Sequence, residues 1–412
     1  MTAEHFDDVL EKMIGDDGIK VPGLGVIIFK NGAEVYSKFI GRRSVEPSKT
    51  VTRHTKFRAA SVSKMFTAFT LLQLFEQGKI NLDADISDYL GFELRNPNFP
   101  QKKITARMLA SHTSSLRDGK IYSSPPDVSV EEFFHVGGRF FEEGAHFAKE
   151  PPGNFFYCNL NYGLLGTLIE KVTGKRFDLY QRENILRQLA TKADYVPANL
   201  AAAEFYRLGT IYQKKNREWV GTIDDFKVQP AKDTLNLQNP YAENFCCNFS
   251  LRDYQVGTNA TIFSPQGGLR ISFDELAHAL EMLLNGGTYR GRKILSSQSL
   301  AEMFKRQWIF DGTNGDTCGG AILSYGLGVY FIDGRSTARV SKDFEINLVG
   351  HTGEAFGMFA GLFLVPNSKS GFVYMMNGTA IGEDDPKSHG EFSANYIWEE
   401  KIMDAICHFL NG

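Results

Sequence analysis

Ser61 and Lys64 stand three residues apart in the run Ser61-Val62-Ser63-Lys64. A helix would place that alcohol and that amine on one face, one turn apart. If Ser61 opens the helix, its oxygen also sits near the positive end of the dipole, where developing negative charge is favoured. A serine hydroxyl is a poor nucleophile until a base removes its proton, and burial can keep a lysine neutral enough to serve. The spacing therefore points to a serine nucleophile with a built-in amine base. Alone the pattern is weak, since composition gives a chain of this length about one or two S-x-x-K matches by accident; here there is one.

Two further runs follow in order: Tyr157-Cys158-Asn159, the one Y-x-N, and His351-Thr352-Gly353. A phenol held beside the amine could relay a proton to a leaving group. Asn159 would reach the same cleft from an extended segment or tight turn, its amide serving a substrate carbonyl and Lys64. The residues 354–358 read as strand, and a strand edge at 351–353 offers free backbone groups to a peptide-like ligand. Gly353 would let that ligand approach closely. The N–H groups of Ser61 and Glu354 could bind the oxyanion of a tetrahedral intermediate. Each residue also has a plainer use. Ser61 could be a helix cap with a solvated Lys64, Tyr157 a core tyrosine, and Asn159 and His351 turn residues. Cys158 reads as a small buried residue, and His112 as a structural helix end.

The elements that must position these groups are legible in outline. Residues 3–14 read as a helix, and the β-like runs 25–29 and 33–36 flank Asn31-Gly32, a strong hairpin signal. The segment 61–78 reads as a helix that is apolar almost all round and closed by Gly78, so Lys64 would be buried. A second apolar helix covers 161–173, and a third runs from about 273 to 284. Residues 190–260 read as long loops. Further β-like runs lie at 325–332, 355–365 and 370–377, and a last amphipathic helix covers 391–410. The pattern predicts an α/β (α+β) fold with one antiparallel sheet built from both chain ends and covered by the first and last helices. It divides the chain into a sheet domain, 1–80 with 266–412, and a mostly helical inserted domain, 81–265, with the site between them.

Composition narrows the function classes. Hydrophobic residues make up 42% and charged residues 23%, values of a globular chain that can bury a large core. A net charge of −3 without a basic stripe argues against a nucleic-acid partner. No apolar run is long enough to span a bilayer. The N-terminus lacks a basic segment followed by an apolar one, so a cytoplasmic protein is expected if Met1 is the native start, and a periplasmic or secreted one if a leader has been removed. Five cysteines, including adjacent Cys246 and Cys247, do not read as a disulfide framework, and no His/Cys spacing matches a metal site. No cofactor is implied; the expected partner is a small-molecule or short-peptide substrate. Among 33 phenylalanines, the pair Phe155-Phe156 beside Tyr157 is the candidate for an apolar pocket wall.

The three runs together resemble the signatures of the penicillin-recognising serine hydrolases, which include class C β-lactamases, DD-peptidases, D-aminopeptidases and β-lactamase-like (family VIII) esterases. Ser111-His112-Thr113-Ser114-Ser115-Leu116 is similar to that superfamily's "SHTSGL" turn, with Ser115 where glycine is usual. Ser264-Pro265-Gln266-Gly267-Gly268-Leu269 resembles its later glycine turn. The resemblance implies the β-lactamase/DD-peptidase fold, with Ser61 acylated, Lys64 and Tyr157 as the proton-transfer pair, Asn159 contacting the substrate amide, and the 351–353 strand docking substrate. His351 stands where β-lactamases carry a lysine that binds the antibiotic's carboxylate, which argues against strong β-lactamase activity. The expected activity is hydrolysis of amide or ester bonds, with a family VIII-like carboxylesterase and a non-catalytic ligand-binding member of the fold as alternatives.

Overall fold

The computed structural model describes the chain except residues 216–217, 225–227, 239–245 and 383–384. Its centre is an antiparallel sheet of nine strands among the described residues. The order is Trp308–Ile309, Ser324–Tyr325, Tyr330–Ile332, Leu348–Ala355, Met358–Val365, Ser370–Met376, Gly23–Lys30, Ala33–Ser44, Lys49–Thr50. The two chain ends meet where Gly23–Lys30 pairs with Ser370–Met376, Val26 opposite Tyr374. Asn31 and Gly32 adopt φ of 57° and 82°, which turns the first strand into the second in the expected hairpin.

The first strand reads Gly-Leu-Gly-Val-Ile-Ile-Phe without alternation because both of its faces are covered. Val26 and Ile28 join a core with Phe6, Leu10, Trp398, Ile402 and Ile406 from the terminal helices Ala3–Lys12 and Ile397–Asn411. Ile27 and Phe29 join a second core with the helices Ser63–Glu76 and Phe273–Leu284. That second core continues through Leu109, Leu164, Leu168 and Phe177, so the helices of the middle segment are packed onto the same apolar mass.

Four expectations differ from the structure. The segment 190–260 holds two hairpins rather than only loops: Ile211–Lys215 with Glu218–Ile223, and Thr234–Gln238 with Cys246–Ser250. The first is secured by parallel pairing with Gly378–Thr379, a partner far away in sequence that local periodicity cannot reveal. The run 355–365 is interrupted by a turn at Phe356-Gly357, with φ of 61° and 94°, between the strands Leu348–Ala355 and Met358–Val365. The run 325–332 is two strands, Ser324–Tyr325 and Tyr330–Ile332. The last helix begins at Ile397, because the carboxylate of Glu400 holds Glu391 N–H, Phe392 N–H and Ser393 Oγ in a compact bend ahead of it.

Candidate active site

Ser61 lies in the short 3₁₀ turn Ala60–Val62, immediately ahead of the Ser63–Glu76 helix. The expectation that it opens the α-helix is therefore displaced by a few residues, and its oxygen makes no capping bond. Ala60 before it has φ 44°, a left-handed conformation that costs a non-glycine residue about 1 kcal/mol or more. Ala59 N–H is bonded to Leu269 O at 2.8 Å, and Leu269 N–H to Ser63 Oγ at 3.2 Å, so the glycine turn at 264–269 fixes the strained segment.

Lys64 is fully buried one turn further on. Its Nζ is 2.9 Å from Ser61 Oγ, 2.9 Å from Asn159 Oδ1 and 3.3 Å from the carbonyl of Gln266. Burial pulls its pKa down to about 7, against the opposing charge of Asp118. A neutral amine here can give its two hydrogens to the two carbonyl oxygens, which leaves its lone pair facing the serine.

Tyr157 donates its hydroxyl to Ser61 Oγ at 2.9 Å. The stretch before it is pinned by Phe156 N–H to His112 O, 2.9 Å, and Cys158 N–H to His112 Nδ1, 3.1 Å. The His112 ring lies against Tyr157 with centres 4.4 Å apart, and it is buried and held neutral by desolvation, then by the charge of Lys64. Burial raises the Tyr157 pKa well above the usual phenol range, so the resting group is a neutral donor.

Asn159 is the first residue of the Asn159–Thr173 helix, neither extended nor in a tight turn, and the extended Cys158 before it supplies no side-chain cap. Asp118 does that work. Its carboxylate accepts Asn159 N–H at 2.8 Å, Leu160 N–H at 2.8 Å and Asn159 Nδ2 at 3.0 Å. A negative group at a helix N-terminus is favoured there, and the last bond turns the Asn159 oxygen toward Lys64. Asp118 was not singled out from the sequence, because its partners lie some forty residues downstream and no local spacing marks it.

On the opposite side runs the Leu348–Ala355 strand. The neighbouring Tyr330–Ile332 strand pairs with Leu348, Val349 and Gly350, so that ladder stops short of residues 351–355. A side chain on Gly353 would place its Cβ 2.4 Å from Ala59 O and 3.1 Å from Ser61 N. The glycine is thus required for contact with the serine's own turn, rather than for approach of a ligand. Thr352 Oγ1 accepts from Tyr330 OH at 3.2 Å, and Glu354 is exposed. His351 is buried, with Nε2 2.8 Å from Tyr325 OH and Nδ1 bonded to Thr352 O. Nδ1 faces a carbonyl and so carries the proton, while Nε2 accepts from the phenol. Desolvation, then Lys64, pulls the His351 pKa to about 3, so the ring is neutral.

These groups bound one cavity of about 590 Å³, with Ser61, Tyr157, Asn159, His351, Thr352 and Glu354 in its wall. Phe155 and Phe156 are not among its lining residues; Phe155 is buried in a stack on Trp308, 4.3 Å between centres. The aromatic wall is instead supplied by Phe356 and four tyrosines, Tyr157 with Tyr122, Tyr330 and Tyr396.

A family model described as Beta-lactamase matches residues 6–392. This chain belongs to the Beta-lactamase family. "Protein flp" of Staphylococcus aureus (strain N315) is 28% identical over 188 residues, which are 44% of this chain and 36% of that protein. The match thus spans little more than a third of that relative's length. "N-acetylmuramyl-L-alanine amidase" of Bacillus subtilis (strain 168) is 26% identical over 328 residues, 72% of this chain and 66% of that one. The solved structure "A class C beta-lactamase" superimposes with a TM-score of 0.67 at 18% identity, covering 99% of this chain and 96% of that one, which shows the shared fold. No helix among the described residues is long and apolar enough to cross a membrane.

Proposed function

We propose that this Beta-lactamase family member is a serine hydrolase that cleaves amide or ester bonds through an acyl-enzyme on Ser61. The observation that carries this reading is the convergence on Ser61 Oγ of Lys64 Nζ and Tyr157 OH, each at 2.9 Å, from segments nearly a hundred residues apart. Neutral Lys64 takes the serine proton as Oγ attacks the carbonyl carbon. The oxyanion is received by the N–H groups of Ser61 and Glu354. As the tetrahedral intermediate collapses, the bond to the leaving group breaks. That group takes a proton from Tyr157, which Lys64 then restores. Water attacks the acyl-enzyme with Lys64 again as base, releasing the acid and freeing Ser61.

Asn159 and the 351–353 edge serve as the substrate contacts, with His351 contributing shape and neutral hydrogen bonding in place of a cation. The name of the Bacillus subtilis relative, an amidase, supports the amide side of the reading. The test is intact-mass spectrometry after exposure to a fluorophosphonate, alongside turnover of 4-nitrophenyl esters, D-amino-acid amides and nitrocefin. Wild-type protein is expected to gain one adduct, and Ser61→Ala to gain none and lose turnover by on the order of 10⁴-fold or more. An adduct that persists in Ser61→Ala, or none on wild type, would reduce the protein to a ligand-binding member of the fold.

A further inference from the structure

Arg58 precedes the strained turn of Ser61 by three residues and lines the same cavity. It sits at the end of the Lys56–Arg58 strand, which pairs with Arg270–Ser272. Its guanidinium lies 5.7 Å from the centre of the Phe356 ring, at the turn beyond the 351–355 edge. Its Nε is buried with no hydrogen-bond partner, and among the described residues Arg58 forms no ion pair. A buried, unanswered charged donor is expensive, because the desolvation cost is not returned by a bond.

The nearest charges sharpen the point. Desolvation, then the like charge of Arg270, pulls the Arg58 pKa to about 10; Asp224 and Tyr122 act in the other direction. Asp224, however, is committed to Arg270, with bonds of 2.6 and 3.2 Å. One carboxylate is therefore set against two guanidinium groups, and the surplus positive charge falls on the one that faces the cavity. Two acids also border that cavity. Glu354 is exposed, and Glu399 is buried and pushed up to about 8, so it holds its proton at neutral pH. His351 supplies no positive charge. Among the cavity's described lining residues, Arg58 is the one arginine or lysine, beside the histidines His351 and His389, and it forms no ion pair.

We propose that Arg58 is the anchor for an anionic group, a carboxylate, on the substrate, and so sets the substrate class of the site. A planar guanidinium presents its terminal nitrogens as a fork that matches a carboxylate, and the Phe356 ring lies 5.7 Å from its centre. The inference rests on the serine-hydrolase reading only in placing that carboxylate on a molecule cleaved at Ser61; the binding itself can be measured without turnover.

The experiment has two arms. In the first, 4-nitrophenyl hydrogen glutarate and the neutral 4-nitrophenyl pentanoate are compared by kcat/KM. Wild type is expected to favour the anionic ester by about tenfold or more, a preference that shrinks with added salt. Arg58→Gln should bring the ratio of the two towards one, and Arg58→Lys should retain part of it. In the second arm, hippurate and its neutral amide are titrated into Ser61→Ala protein by calorimetry. Tighter binding of hippurate, lost when Arg58→Gln is added, supports the anchor even if neither ester is turned over. Equal kcat/KM values in wild type, equal slowing of both esters in Arg58→Gln, or hippurate binding that is absent or indifferent to Arg58 overturns it. If the first arm fails while Ser61→Ala still abolishes turnover, the hydrolase reading stands and the anchor falls.

Discussion

At the scale of single residues, the site depends on an amine kept from its ordinary charge. In the proposed mechanism Lys64 must be neutral to accept the serine proton, and its pKa is lowered to about 7 by burial. The sign follows directly. Below that pH the ammonium has no lone pair, so kcat/KM should fall about tenfold per pH unit on the acid side and level off above it. A profile flat between about pH 5 and 9 would remove Lys64 as base. Lys64→Arg keeps a permanent charge at the same place and should lose on the order of 10³-fold in kcat. The types and order of these residues were legible in the sequence, because Ser61 and Lys64 lie within one helical turn and the other motifs are each three residues long. Asp118 and Arg58 were not assigned roles, since what they do is defined by partners brought near only by folding.

Among the elements, the decisive contact is between a strand and a turn. Gly353 lets the Leu348–Ala355 strand lie against Ala59 and Ser61, with no room for a methyl group beside Ala59 O. Gly353→Ala must push the strand away from the serine, because a backbone oxygen cannot yield as a flexible side chain can. The expected result is a stability loss of about 1–3 kcal/mol and a fall in kcat of about 10²-fold, read by chemical denaturation and steady-state kinetics. A near-normal kcat would show that the 353–354 backbone takes no part. The helices Ser63–Glu76 and Phe273–Leu284 were readable from their apolar runs, and the structure adds a Ser272/Glu275 capping box at the start of the latter. The strand pairs within 211–250 were not readable, and the first of them is secured by pairing with the distant Gly378–Thr379.

The whole molecule is closed by its two ends. Trp398 is fully buried against Phe359, ring centres 5.1 Å apart, and its Nε1 donates to Ile19 O at 2.6 Å. The Met1 amino group reaches His408 O at 3.2 Å. The sheet that carries the 351–355 edge is therefore braced by segments from both termini. Trp398→Ala should open a cavity between the last helix and the sheet and cost about 3–5 kcal/mol. Urea denaturation measures this directly, and a loss below about 1 kcal/mol would mean that this core bears little of the load.

By itself the sequence determined the antiparallel sheet from both chain ends, its long helices and the identities of three short polar runs, because these are written in local periodicity, turn residues and motif order. Tertiary structure alone decided that Lys64 loses its solvent, that His351 has both ring nitrogens satisfied inside the protein, and that Asp224 answers Arg270 and leaves Arg58 unpaired. The physical reason is the same throughout: charge state and hydrogen-bond supply depend on which distant groups and how much water surround an atom, and no stretch of chain carries that information alone.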